Sequence, residues 1–65
     1  MYTLNQIEIV AALIHNEAID NDSSKMRMNV ITKIYLSIIS SGHKQVEKET
    51  LASEEIKMID YYLNK

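Results

Sequence analysis

The sequence predicts an all-α fold, a small three-helix bundle that runs up, down and up. Apolar residues recur at spacings of three and four along most of the chain, which is the period of a helix and not that of a strand. The 65 residues include no proline and a single glycine, and 46% of them are hydrophobic. This composition suits helices and opposes disorder. Polar clusters divide the apolar pattern into three segments, near residues 4–19, 24–41 and 51–64.

The first helix is predicted from a capping box followed by a regular apolar stripe. Thr3 can accept a hydrogen bond from the backbone of Gln6, whose own side chain reaches back, and this arrangement starts helices. The stripe then advances by three or four residues at a time, through Leu4, Ile7, Ala11, Ile14 and Ala18, with Val10 beside it. Ile9 and Leu13 lie off this stripe, one turn apart, and form a second, smaller apolar strip.

The second helix is predicted from the most apolar run of the chain. A polar turn at 20–24 precedes it, and Ser23 or Ser24 is expected to cap its first turn. Gly42 lies where a left-handed residue ends a helix. The apolar residues cover roughly half of the circumference, namely Met28, Val30, Ile31, Ile34, Tyr35, Ile38 and Ile39, and Leu36 lies outside this arc. Because so wide an arc requires neighbours on two sides, helix 24–41 is expected to be central.

The third helix follows a segment that the sequence leaves undetermined. Residues 43–50 have Val46 as their one apolar anchor and fit either a loop or one or two helical turns. Thr50 is the expected N-cap, with Glu54 and Glu55 near the first turn, where the helix dipole favours acids. One stripe of this helix contains Ala52, Ile56, Ile59 and Leu63. A second strip, about 100° away, contains Leu51, Met58 and Tyr62.

These stripes predict one helical domain over residues 1–65 with a single core. The core residues are expected to be Ile7, Val10, Ile14, Ile31, Ile34, Tyr35, Ile38, Ile56, Ile59 and Leu63. A domain of this size buries only about 60% of the surface that its unfolded chain exposes, and disulfides, metals or self-association commonly support such domains. Because the chain has no cysteine, we expect a two-fold homodimer, the commonest symmetric state.

No constellation in the sequence predicts catalysis, a cofactor or a metal site. The alternating acids that begin at Asp20 do not fit a calcium loop, because the positions that require glycine and glutamate hold Lys25 and Ile31. His15 and His43 have no partner at a metal-ligand spacing, and we interpret them as a boundary residue and a helix-capping residue. The chain is therefore expected not to be an enzyme and to need no cofactor.

Charge and hydropathy limit the classes of partner. The net charge of −2 and the scattered basic residues lack the basic patch that is typical of nucleic-acid binding. Lys33 interrupts the longest apolar run well before the roughly 20 residues that cross a membrane, and the N-terminus has no signal-peptide pattern. The chain is therefore expected in the cytoplasm, without a nucleic-acid or membrane partner.

The remaining signal is more apolar surface than one small core requires. Contiguous apolar surface marks interaction sites, where Tyr and Met are enriched. The residues expected to contact another protein are Ile9, Leu13, Leu36, Leu51, Met58 and Tyr62. We interpret the chain as a small non-enzymatic interaction module, a regulator or inhibitor of the kind that phages and mobile elements encode, which docks on an unidentified protein. The alternatives are a dimeric DNA-binding transcriptional regulator and a small structural subunit of a larger assembly.

This surface generates a prediction for two adjacent tyrosines. Tyr62 is expected to be buried against another chain, whereas Tyr61 shares a face with Glu54 and Lys57 and is expected to stay exposed. Tyr62→Ala should weaken association by about 2 kcal/mol or more while leaving the helical circular-dichroism signal intact, and Tyr61→Ala should do neither. Unfolding of the isolated Tyr62→Ala chain would instead place Tyr62 in the intramolecular core.

Overall fold

Three α-helices account for most of the structure. The computed structural model describes residues 1–64, and its helices are α1 (Leu4–Ala18), α2 (Ser23–Ser40) and α3 (Ser53–Leu63). Two short strands, β1 (Tyr2–Thr3) and β2 (Gln45–Val46), and a 3₁₀ turn at Lys48–Thr50 complete the described elements. The all-α prediction is confirmed, and each helix begins and ends within two residues of its predicted bounds. Within residues 1–64, no helix combines the length and the apolar character that crossing a membrane requires.

The start of α1 is fixed by the predicted capping box. The Gln6 N–H donates to Thr3 Oγ1 at 3.1 Å, and the Thr3 N–H donates to Gln6 Oε1 at 2.9 Å. The first backbone donors of a helix have no acceptor within the helix itself. The two side chains satisfy two of these donors reciprocally, so the predicted start of the first helix is confirmed.

The start of α2 differs from the prediction, because neither Ser23 nor Ser24 caps it. Asn21 Oδ1 instead accepts the Ser23 N–H at 3.0 Å and the Ser23 hydroxyl at 2.7 Å. Ser24 is 0% exposed, and its Oγ has no hydrogen-bond partner among the described residues. It lies seven residues before the buried Ile31 and therefore extends the buried seam of α2 toward the helix start. Ser24, which its residue type suggests as a cap, is therefore a core residue.

The end of α2 is formed by the predicted glycine. Gly42 has a φ of 75°, and its N–H donates to the Ile39 carbonyl at 3.1 Å. This φ lies in the left-handed region, which glycine adopts without the steric cost of a Cβ atom. The prediction that Gly42 ends the helix is confirmed.

Residues 43–50, which the sequence leaves undetermined, return the chain to its N-terminus. β2 pairs antiparallel with β1, so that Tyr2 lies opposite Val46 and Thr3 lies opposite Gln45. The backbone of the same segment also accepts from the first residue of α1, at 2.9 Å between the Leu4 N–H and the Lys44 carbonyl. The pairing therefore fixes the start of α1 against a segment from the second half of the sequence.

The start of α3 also requires a correction, because Thr50 does not cap it. Thr50 belongs to the preceding 3₁₀ turn and donates its hydroxyl to the Glu47 carbonyl at 2.8 Å. The helix begins after Ala52, whose N–H donates to Glu55 Oε1 at 2.7 Å. A glutamate at the third helical position thus satisfies the N-cap backbone from inside the helix, which is half of a capping box.

The core contains most of the predicted residues and two tyrosines besides. The predicted residues that are buried are Ile7, Val10, Ile14, Ile31, Ile34, Ile38 and Ile59. Tyr2 and Tyr62 join them, and each is 2% exposed. Tyr35, Ile56 and Leu63 were also predicted to be core residues, but they are only half-buried because they lie at the margins of the buried faces of their helices.

The central helix is α1 and not α2. α1 packs along α2 over much of their length and also packs against α3, whereas contacts between α2 and α3 are sparser. The prediction of a central helix at 24–41 is therefore wrong. The wide apolar arc that suggested it is only partly used in packing, since Ile39 is 47% exposed.

Tyr2 connects the N-terminal strand to α3. Its hydroxyl donates to Asp60 Oδ1 at 2.5 Å, and the Lys48 ammonium lies 5.0 Å from the centroid of its ring. Burial raises the pKa of Tyr2 to about 12, and both the hydrogen bond to Asp60 and the charge of that carboxylate act in the same direction. The folded chain therefore stabilises the neutral phenol.

Tyr2→Phe should lower stability at neutral pH and remove part of the alkaline pH dependence. The variant keeps the buried ring but removes the donor from half-buried Asp60, at a cost of about 1 kcal/mol. Because the folded pKa of Tyr2 is about 12 and its ordinary value is 10.0, the stabilisation is complete below pH 10 and is lost as pH rises toward 12. Denaturant unfolding of both chains should give stabilities that converge above pH 10, and a constant difference would contradict this assignment.

Ser24→Ala should stabilise the chain by about 1 kcal/mol. The substitution removes a buried hydroxyl that has no described partner, and alanine also has the higher helix propensity. Ser23→Ala is the matched control, because Ser23 is exposed and its hydroxyl is bonded to Asn21. Thermal unfolding should show a raised midpoint for Ser24→Ala alone. An equal or lower midpoint for that variant would mean that the hydroxyl is satisfied in solution.

Candidate interaction surface

The structure exposes only some of the residues predicted to form an interaction surface. Three of them are half-buried and pack against the core, namely Leu13, Leu51 and Met58. Ile9 is 47% exposed and Leu36 is 54% exposed. Ile34 and Ile38 are buried and lie two positions before and after Leu36. Each is about 200° around α2 from Leu36, which therefore faces away from the core. Contact of these five residues with another protein stays a prediction.

Tyr62 requires a correction, because it lies in the core of its own chain. It is 2% exposed, so the prediction that a second chain buries it is wrong. The buried face of α3 is centred between the two strips that the sequence suggests. Tyr62 lies about 60° around the helix from Ile59, and both are buried. Ile56 and Leu63 of the first strip and Met58 of the second are half-buried on either side of them.

The Tyr62 hydroxyl joins all three helices. It donates to Glu17 Oε2 of α1 and accepts from Arg27 Nη1 of α2 at 3.0 Å. The same Arg27 nitrogen lies 3.8 Å from Glu17 Oε2. Burial raises the pKa of Tyr62, and the hydrogen bond to Glu17 raises it further, while the Arg27 guanidinium acts in the opposite direction. The neutral hydroxyl is thus held between a carboxylate and a guanidinium.

Tyr61 is exposed, as the sequence predicts, and it borders a groove at this junction. It is 56% exposed, and its ring meets that of Tyr62 edge-on, with centroids 5.1 Å apart and planes at 86°. Glu54 and Lys57 line the same groove, as expected from the face that they share with Tyr61. Charges of both signs therefore surround the exposed ring.

A second groove runs along the side of the α1–α2 pair. One half of it is lined by Glu8, Ala11, Met28, Thr32 and Tyr35. The other half is lined by His15, Ala18, Ile19, Lys25, Met28 and Asn29. Because Met28 belongs to both halves, they form one continuous surface, which we call the α1–α2 groove. Within residues 1–64, α3 contributes nothing to its lining.

The α1–α2 groove has a regular spacing that an apolar pattern does not reveal. Apart from Ile19 and Asn29, its α1 side consists of Glu8, Ala11, His15 and Ala18, and its α2 side consists of Lys25, Met28, Thr32 and Tyr35. Both series advance by alternating steps of three and four residues, as the contact seams of packed helices do. Half of the members are polar, so a search for apolar stripes misses them. The signal that could have found them is the spacing itself, read without regard to residue type.

The two ends of the α1–α2 groove carry opposite charges. Glu8 lies in the half that contains Tyr35, and Lys25 lies in the half that contains Ala18. The Lys25 ammonium also pairs with Asp22 Oδ1 at 3.1 Å, but both side chains are mostly exposed. Such an exposed pair contributes little to stability, so Lys25 remains accessible to a partner.

Comparison of the chain with protein-family models, with curated proteins and with solved structures gave no match in any of the three.

Tyr62→Ala should destabilise the isolated chain, because the ring is buried and its hydroxyl joins three helices. Loss of a buried aromatic side chain costs about 3–5 kcal/mol. Tyr61→Ala is the matched control and should cost about 1 kcal/mol or less, since its ring is 56% exposed. Denaturant unfolding of the two variants measures the difference. Equal stabilities of the two variants would mean that Tyr62 does not belong to the core.

Proposed function

We propose that this chain is a small non-enzymatic protein-interaction module, a regulator or inhibitor that acts by docking on another protein. The observation that supports the proposal is the amount and the placement of exposed apolar surface. Seven large hydrophobic side chains are exposed within residues 1–64, namely Met1, Ile9, Ile19, Met26, Leu36, Ile39 and Tyr61. Because scattered apolar residues are normal on protein surfaces, the positions of these residues on the fold carry more weight than their number.

The exposed residues of α2 occupy two adjoining sides of the helix. Met26 and Leu36 are 73% and 54% exposed and lie on the side that faces away from the core. Ile39 falls on the side of Tyr35, because the three- and four-residue spacing of the α1–α2 groove leads to it. Apolar side chains on two adjoining sides of one helix exceed what a chain of 65 residues needs for its own core. Because large exposed apolar surface marks interaction sites, these sides of α2 are the proposed docking surface.

We also propose that the three helices follow an up-down-up path and that the chain works as a homodimer. Four residues connect α1 to α2, and connections of this length favour antiparallel neighbours. A dimer would cover one of the two apolar sides of α2 and leave the other for a different protein. The proposed unit is therefore a symmetric pair that presents Leu36 twice.

Leu36→Glu should abolish capture of the partner without affecting the fold. Affinity-tagged chain is incubated with host-cell lysate, and the proteins retained are identified by mass spectrometry. Leu36 is 54% exposed and faces away from the core, so the variant should keep the circular-dichroism spectrum of the original chain. Burying an uncompensated carboxylate in an apolar interface is strongly unfavourable, so the specific partner should disappear from the captured set.

Ser37→Glu is the control, because it adds the same charge at an exposed position of the same helix. A protein retained by the original chain and by Ser37→Glu, and lost with Leu36→Glu, supports the proposal. Retention of no protein above background would contradict the proposal. Retention of duplex DNA in a salt-dependent manner would contradict it and favour the DNA-binding interpretation.

A further inference from the structure

We propose that the outer face of α2 docks on an acidic amphipathic helix of another protein. This face is formed by the exposed side chains of Lys25, Met26, Asn29, Lys33 and Leu36. The inference rests on the proposed function, in which the side of α2 that carries Leu36 contacts a different protein, and it adds the chemistry of that partner.

The residues of the outer face lie within one arc of α2 that points away from the core. At about 100° per residue they span about 100° of the circumference, and the middle of this arc lies nearly opposite Ile31. Ile31 is 0% exposed, whereas Met26 and Leu36 are 73% and 54% exposed. The whole arc is therefore accessible to a partner.

The charge of α2 differs from that of the rest of the chain. Within residues 1–64, α2 is the helix that carries basic side chains and no acidic one, although the chain has a net charge of −2. Of its three cations, Arg27 lies on the other side of the helix, where it contacts Tyr62 and Glu17. The positive potential of the outer face therefore comes from Lys25 and Lys33.

Neither of these lysines is held by a strong partner within the chain. Lys25 Nζ lies 3.1 Å from Asp22 Oδ1, but the two side chains are 68% and 96% exposed, and such a pair contributes little to stability. Lys33 has no ion-pair partner among the described residues. Glu55 lines a groove beside Lys33, but its Oε1 accepts the N–H of Ala52 at the start of its own helix. Both ammonium groups can therefore bind the acids of a partner.

The spacing of these side chains along α2 fits a second helix that lies alongside it. Lys25 and Lys33 are about 12 Å apart along the axis, and Met26 and Leu36 are about 15 Å apart. A helix packed along α2 would match these distances to within about 2 Å with two acids about seven residues apart and two apolar residues about eleven apart. Both intervals return to the same face of a helix. The partner is therefore an amphipathic helix with acids beside its apolar stripe.

The chemistry of the outer face disfavours two other occupants. A second copy of the same face would bring lysines and no acid of its α2 against Lys25 and Lys33. A nucleic-acid backbone could use the two lysines but not the apolar side chains of Met26 and Leu36, and the basic patch typical of such binding is larger. An acidic amphipathic helix uses both the charged and the apolar part of the face.

Two synthetic peptides with the same apolar residues and opposite charges test the inference. Each is an alanine-based helix of about 18 residues with the leucine spacing given above, and the charged positions hold glutamate in one peptide and lysine in the other. Fluorescence anisotropy of the labelled peptides should show at least about ten-fold tighter binding of the glutamate peptide. The preference should disappear at about 1 M salt, where charges are screened beyond about 3 Å. Because the chain has a net charge of −2, non-specific attraction would favour the lysine peptide instead.

Charge exchanges on the outer face locate the preference. Lys33→Glu should abolish it, and Lys25→Glu combined with Lys33→Glu should reverse it, because the face then carries acids. Lys57→Glu is the matched control, since it makes the same change of charge at an exposed position of α3, and it should keep the preference. Leu36→Ser should weaken the binding of both peptides, because it removes an apolar contact that they share. Ser37→Glu should weaken the glutamate peptide less than Lys33→Glu does, since it leaves both lysines in place.

Each result decides for or against the acidic helix. Equal binding of the two peptides, or binding of neither up to about 1 mM, overturns the inference but not the proposed function, which the capture of a protein tests separately. Retention of the original chain and loss of Lys33→Glu on phosphatidylserine vesicles, without competition by the glutamate peptide, assigns the face to a membrane and also overturns it. A dimer that Leu36→Ser converts to a monomer assigns the face to a second copy and overturns it too. Preference for the glutamate peptide without any captured protein supports this inference and contradicts the proposed function alone.

Discussion

The burial of one side of α1 by two other helices is the constraint on which the rest of the structure depends. Ile7, Val10 and Ile14 are each 0% exposed, and they repeat at intervals of three and four along a single face. α2 packs extensively against α1, and α3 packs against α1 less extensively. Because both other helices pack on α1, no helix within residues 1–64 covers the outer side of α2. Met26 and Leu36 on that side therefore stay exposed.

Two tyrosine hydroxyls attach the C-terminal half of α3 to the rest of the fold. Tyr2 reaches Asp60 from the N-terminal strand, and Tyr62 reaches Glu17 and Arg27 on the other helices. In both cases a buried ring contributes apolar area while its hydroxyl is satisfied by a charged group, and hydrogen bonds to charged groups are the stronger ones. Since α3 shares less apolar contact with α1 than α2 does, these polar contacts fix its rotation. They are also the reason why its buried face is centred on Ile59 and Tyr62.

Local rules predicted the local features, and long-range contacts account for most of the errors. The capping box at Thr3, the glycine at the end of α2 and the three helical stripes depend on residues within one or two turns of each other, so the sequence displays them directly. The burial of Tyr2 and the strand at Gln45–Val46 depend on pairing between segments far apart in the sequence. Neither segment shows a regular apolar period that would predict this pairing. The prediction of the interaction surface uses only leftover apolar residues. It is wrong for Tyr62, because the rotation of α3 is set by partners on other elements, and it does not include the α1–α2 groove, because half of that seam is polar.

The contacts that β1 makes with the second half of the chain have a consequence for the order in which the chain folds. α1 and α2 are neighbours in sequence and can form their contact by closing a short loop, a process that takes well under a microsecond for about ten residues. The hydrogen bond between Tyr2 and Asp60 joins residues 58 positions apart, and such contacts form only after the entropy of a long loop has been lost. We therefore expect the helix pair to form first and the two ends of the chain to come together late. Substitutions at the Tyr2–Asp60 contact should consequently accelerate unfolding while leaving the folding rate almost unchanged.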